Sequence, residues 1–193
     1  MRRGAMVVLF ALCAAPAPAA TVSGTLRVRG AVAPGAVVYL ERVGDPAAGP
    51  VPHSHAVMDQ RNLTFAPRVL PVVVGTTVDF TNSDDTQHNV FSPSRAAGKF
   101  DLGTYSRGET RSVTMREPGD VLVLCNIHME MEAHILVLRD PYFALAGGDG
   151  RYRIPDVPAG RYEIRLWRGT WLPMDRTIDV PDAAGAVALD VEG

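Results

Sequence analysis

The segment CNIHMEM, from Cys125 to Met131, puts a thiolate, an imidazole and a thioether into one short loop at C-x-x-H-x-x-M spacing. A site that must hold both Cu(I) and Cu(II) is well made from a soft thiolate, two imidazoles and a weak thioether. The loop lacks the second imidazole. His88, in SDDTQHNVF after the run TTVDFTN, can supply it if two loops meet at one pole of a sandwich. Rigid strands would then keep the ligand set nearly unchanged between oxidation states, which suits electron transfer. Zinc is the competing metal, but it has no use for a thioether and usually completes its sites with a further Cys, His, carboxylate or water. Only His53, His55 and His134 remain beyond this set, too few for a second copper cluster, so an enzyme is not expected.

Cys125 stands alone for a reason that lies at the other end of the chain. The first 20 residues, MRRGAMVVLFALCAAPAPAA, carry Arg2 and Arg3, an apolar run from Ala5 to Ala15, and Ala17-Pro18-Ala19 as a cleavage signal. Residues 1–19 therefore read as a secretory signal peptide, which takes Cys13 away and leaves Cys125 as the one thiol of an exported, periplasmic or otherwise extracytoplasmic protein. An unpaired thiol in an oxidising compartment is a chemical liability unless it is buried or holds a metal. No later run reaches the roughly 20 apolar residues of a membrane span, so stable membrane insertion is not expected. The formal charge is −2 and becomes −4 without Arg2 and Arg3. Such a balance offers nucleic acid no electrostatic footing.

The elements that must position these ligands read as strands. TVSGTLRV alternates, with Val22, Leu26 and Val28 on one face, and Ala36 to Val43 follows the Pro34-Gly35 turn as a second strand. GDPAAGPVP is a linker, and His53 and His55 sit in its solvated margin. Short β-branched runs then recur to Leu138, separated by turn residues and without helical periodicity, which is the pattern of an antiparallel sandwich or barrel. The stretch from Asn89 to Tyr105 reads as a surface loop or a short helix. Beyond Asp140, runs around Tyr152 to Ile154 and Tyr162 to Leu166 read as hairpin-like strands, in a tail of marginal size for a core of its own.

Within this frame VGTTVDFTNSDDTQHNVF, PGDVLVLC and CNIHMEMEAHILV resemble the cupredoxins, and in particular the amicyanin, plastocyanin and pseudoazurin group. The compact ligand loop is most similar to that of amicyanin. The resemblance implies a Greek-key β-sandwich holding one type 1 copper per chain, with His88, Cys125 and His128 as equatorial ligands and Met131 as the axial one. It gives Asn89 the role of tying the two ligand loops together. Met129, adjacent to His128, has poor reach to the same ion and is read as surface; with Ile127 it forms an apolar docking patch beside the edge of His128. His134, at the start of the next strand, reads as a structural or exposed histidine.

The flanks carry a second resemblance. SGTLRVRGAVAPGAVVYLERV and GGDGRYRIPDVPAGRYEIRLW are similar to the two halves of a carboxypeptidase-regulatory-like, transthyretin-like sandwich. The expected organisation is all-β: residues 21–50 and 141–193 forming a second, smaller β-sandwich, with a cupredoxin at 56–140 inserted between its halves; separate extensions packing on the cupredoxin are the alternative. The cupredoxin resemblance implies an electron carrier cycling Cu(II)/Cu(I) between redox protein partners. Copper storage or delivery, and an adhesion or scaffold module with incidental copper, are the competing roles. Similar cupredoxins accompany methylamine utilisation, but no residue here identifies a dehydrogenase partner.

Overall fold

The computed structural model describes residues 19–44, 54–94, 99–182 and 185–193. The expected signal segment, except Ala19, and His53 lie outside these residues. The described residues form strands and no helix. In chain order, the N-terminal part supplies β1 (Ala19–Val28), β2 (Ala31–Val32) and β3 (Val37–Arg42). The centre supplies β4 (His55–Arg61), β5 (Thr64–Ala66), β6 (Val69–Val73), β7 (Thr77–Asn82) and β8 (His88–Ser92). It continues with β9 (Phe100–Tyr105), β10 (Thr110–Thr114), β11 (Gly119–Leu124) and β12 (Glu132–Leu138). The C-terminal part supplies β13 (Phe143–Leu145), β14 (Arg151–Pro158), β15 (Gly160–Trp167) and β16 (Trp171–Leu172). It ends with β17 (Thr177–Val180), β18 (Gly185–Ala188) and β19 (Val191–Glu192).

The central strands make two sheets, β10-β7-β4-β5 and β6-β12-β11-β8-β9. Between them lie Met58, Phe65, Phe80, Val90, Val121, Val123, Ile135 and Val137, all fully buried or nearly so. The N- and C-terminal strands pair with each other in two further sheets, β14-β1-β18 and β13-β3-β15-β16. Their shared core holds Val22, Leu26, Leu40, Ile154, Tyr162, Ile164 and Leu166.

Two expectations change. The stretch from Asn89 to Tyr105 is neither helix nor plain loop, because its ends form β8 and β9, paired from His88–Tyr105 to Ser92–Phe100. Its Ser, Gly and Ala content hid the strands, whose alternation is short and polar on one side. The segments around Tyr152 and Tyr162 are not a hairpin: β14 pairs with β1 and β15 with β3. Only Ala159 separates them, so the chain turns a corner and switches sheets, which lets both strands bury an alternating apolar face against the same core.

Continuous apolar runs mark the strands that are buried on both faces. In β12, Ala133, Ile135 and Val137 enter the central core, while Leu136 and Leu138 point the other way, into a cluster with Val37, Tyr39 and Trp167. In β3, Val38 and Leu40 enter the flanking core while Val37 and Tyr39 face β12. The two sandwiches are thus stacked face to face. Polar contacts seal the junction. Asp120 accepts the indole N–H of Trp167 at 2.9 Å and lies 2.8 Å from His134 Nδ1, and the rings of His134 and Trp167 are 4.9 Å apart. Asp140, between β12 and β13, accepts the Arg42 backbone N–H at 3.1 Å. His134 is therefore a junction residue.

Candidate metal centre

β11 and β12 are antiparallel, with Leu124 opposite Glu132, so the six residues after Cys125 must close a tight loop. The Cys125 N–H reaches the Met131 carbonyl at 3.3 Å, and the Met131 N–H reaches the His128 carbonyl at 3.0 Å. These bonds satisfy the loop's own backbone and fix the ends that carry Cys125 and Met131. Both side chains are buried, Cys125 at 4 % and Met131 at 1 % exposure. His128, between them, is half-buried, flanked by Ile127 at 46 % and Met129 at 86 % exposure. Met129 is thus on the surface and Met131 in the core, the order that adjacency to His128 suggested.

His88 arrives from the neighbouring strand. It is the first residue of β8 rather than a loop residue, it is fully buried, and its backbone is paired with Tyr105. Tyr105 anchors this pair from inside the core: its hydroxyl donates to the Phe80 carbonyl at 3.0 Å and accepts from Gln60 Nε2 at 2.6 Å. Burial pushes its phenol up to about 12, which keeps it protonated as a donor.

His88, Cys125 and His128 each bring one ligand atom to within 4.8 Å of the other two. The Nδ1 atoms of His88 and His128 are 3.1 Å apart. Metal–nitrogen bonds of about 2.0–2.1 Å allow two imidazoles on one ion at such a separation. The donor set fits copper: a thiolate and two imidazoles converge, and the one buried thioether of the loop stands at its closing end.

Asp84 completes the arrangement and was not foreseen. Its carboxylate lies 2.8 Å from His88 Nε2, leaving Nδ1 free to face His128. The same carboxylate accepts the backbone N–H groups of Asn62 at 2.6 Å and Leu63 at 2.9 Å. These two residues form the β4–β5 turn with φ of 55° and 56°. Positive φ at both centres makes a type I′ turn, which leucine tolerates poorly, so Asp84 stabilises a strained turn and orients a histidine at once. Burial pushes its carboxyl up, but donation from Leu63, His88 and Asn62 outweighs this and holds it below the ordinary range. The spacing Asp84-x-x-x-His88 was visible in the sequence. It did not separate Asp84 from Asp85, which is exposed and paired with Arg107.

Asn89 is buried and donates its amide to Asp101 of β9 at 2.9 Å, while its Oδ1 has no partner among the described residues. Its side chain is bonded to β9 and not to the His128 loop. His55 opens β4 instead of lying in the linker and sits 2.8 Å from Asp79, away from the converging ligands.

Residues 52–138 match the sequence model of copper binding proteins, plastocyanin/azurin family. No curated protein shows significant similarity to the chain. Among solved structures, the copper-containing nitrite reductase of Thermus scotoductus SA-01 is similar at 29 % identity and a TM-score of 0.41, over 50 % of this chain and 24 % of that one. This chain therefore spans about a quarter of the reductase. A reduced amicyanin variant is similar at 23 % identity and a TM-score of 0.42, over 52 % of this chain and 98 % of amicyanin. A purple cupredoxin from Nitrosopumilus maritimus is similar at 21 % identity and a TM-score of 0.38, over 44 % and 99 % of the two chains. The family match thus covers the central sandwich, which is similar over residues 52–138 to the plastocyanin/azurin family of copper-binding proteins.

Proposed function

We propose that this chain is an exported blue-copper electron carrier and not an enzyme, with His88, Cys125 and His128 as the strong ligands of one copper and Met131 as the weak axial one. Bound copper supplies a one-electron Cu(II)/Cu(I) couple. The protein's part is to hold the donors still. β8 and β11 fix His88 and Cys125, the closed turn from Cys125 to Met131 fixes the rest, and burial of three of the four donors keeps water from the ion. A ligand set that does not rearrange lowers the cost of exchanging an electron.

One observation carries the reading: of the four donors only His128 is partly exposed, and it lies between two exposed apolar side chains, Ile127 and Met129. The edge of His128 is then the electron port and its neighbours the patch on which a redox protein docks. Voltammetry of the copper-loaded chain tests this. A fast, reversible one-electron wave supports the carrier. A sluggish wave, together with transfer of copper to a chelator or apo-protein, supports delivery instead.

We infer further that residues 21–50 and 141–193 form one split sandwich into which the cupredoxin at 56–140 is inserted. The pairings β1 with β14 and β3 with β15, and the single core they enclose, support this organisation.

A further inference from the structure

Where the two sandwiches meet, a cleft of about 390 Å³ opens beside the ligand loop. Arg68, Val69, Glu132 and His134 line it from the copper sandwich, and Pro34, Gly35, Trp167, Arg168 and Gly169 line it from the flanking one. Its position follows from the strand register. Glu132 is the residue after Met131 and stands opposite Leu124, the residue before Cys125. His134, one pleat further, donates its backbone N–H to the Arg68 carbonyl at 2.9 Å. The cleft therefore begins at the copper pole of β12 and runs along the junction.

Its charge is opposite to that of the whole molecule. The chain carries a net −2, yet Arg68 and Arg168 are both exposed here and neither has an ion-pair partner among the described residues. The one acid of the lining, Glu132, lies 3.7 Å from His134 Nε2. Trp167 lies beneath the cleft, 2 % exposed and with its indole N–H committed to Asp120, so it is a buried reporter under the lining and offers no donor to it. Two arginines, one from each sandwich, flank the accessible apolar side chains of Pro34 and Val69, and arginine beside apolar surface is a composition that protein interfaces favour.

We propose that this cleft receives an acidic segment of the redox partner, a loop presenting carboxylates beside an apolar side chain. The proposal rests on the electron-carrier reading and gives the partner a chemical character. The partner reads both sandwiches at once, its carboxylates on Arg68 and Arg168 and its apolar residue against Pro34 and Val69, while the ligand loop next to the cleft comes within reach of its redox centre. The flanking sandwich thereby becomes half of the docking site.

The test uses the full chain in two arms. In the first, the metal-free protein, with Trp171→Phe so that Trp167 is the sole reporter, is titrated with the blocked peptide acetyl-Glu-Leu-Asp-amide. A saturable change in fluorescence is expected, weakened about fivefold by Arg68→Glu and again by Arg168→Glu, and weakened by salt. The peptide acetyl-Lys-Leu-Lys-amide should give none. Equal response to both peptides, indifference to charge reversal, or equal competition by inorganic sulfate overturns the proposal. In the second arm, electron uptake by the copper-loaded chain from reduced plant-type ferredoxin, an acidic redox protein, should slow in both arginine variants, while uptake from hydroquinone stays unchanged. Equal slowing with both donors contradicts the assignment. The first arm needs no copper, so it decides the cleft even if the carrier reading fails.

Discussion

The Nδ1 atoms of His88 and His128 lie 3.1 Å apart although the residues are 40 positions apart in the chain. Nothing local brings them together. His88 is set by the β8–β9 pairing and the Asp84 carboxylate, His128 by the turn that Cys125 and Met131 close. The pair is a product of the sandwich, and perturbing either support should be felt at the metal.

Asp84→Asn removes the carboxylate that faces His88 Nε2 but keeps one acceptor for the Asn62–Leu63 turn. Loss of such a partner of a ligating histidine typically costs about 10- to 100-fold in metal affinity. Competition with a copper chelator should show a loss in that range. Asp84→Ala, which frees both turn N–H groups as well, should add a measurable fall in Tm.

Met131 and Met129 should separate cleanly. Met131→Gln is expected to keep the colour of the copper-loaded protein and shift its reduction potential, because the axial ligand tunes a site whose equatorial set is intact. Met129→Gln replaces a side chain 86 % exposed and should leave potential and colour alone. A potential that moves with Met129 and not with Met131 would reverse the axial assignment.

The ligand loop was legible because its chemistry is written in one heptapeptide, and the strands because β-branched runs and turns alternate along most of the chain. The β8–β9 pair was not: Ser92 to Phe100 breaks the alternation, and only the partner strand restores it. The sheet switch after Pro158 was equally hidden, since a turn signal tells that the chain reverses and not which neighbour it meets. Asp84 escaped for a related reason. Its role depends on three groups, two from the β4–β5 turn and one from β8, that only the fold assembles. The junction was half visible, as AHILVL and AVVYL are apolar on both faces, but Asp120 and Trp167 lie 47 positions apart.

Trp167→Phe tests that junction. An aromatic ring is kept, but it is smaller than the buried indole and lacks the N–H donor to Asp120, leaving a half-buried carboxylate oxygen without its partner. Unfolding in denaturant should show a loss of about 1–3 kcal/mol. Combined with Asp120→Asn, the loss should be less than additive.

His134 gives the junction a pH dependence. The Asp120 hydrogen bond raises its pKa above the ordinary value, against the opposing effect of burial, and Glu132 adds to the rise. A raised folded pKa means a stabilisation fully present below the unfolded value of about 6.5 and lost as pH rises through the folded value. Tm should therefore decline as pH rises above about 6.5, and His134→Gln should flatten that slope. The lowered carboxyls of Asp79 and Asp84 act with the opposite sign, at more acid pH, where they titrate.

The most direct measurement is the visible spectrum of the purified chain loaded with Cu(II). A thiolate at Cys125 held with His88 and His128 on one copper predicts an intense thiolate-to-copper charge-transfer band toward the red, present in the wild type and abolished by Cys125→Ser. A colourless copper-loaded wild type, or a serine variant as strongly coloured as its parent, would contradict the site.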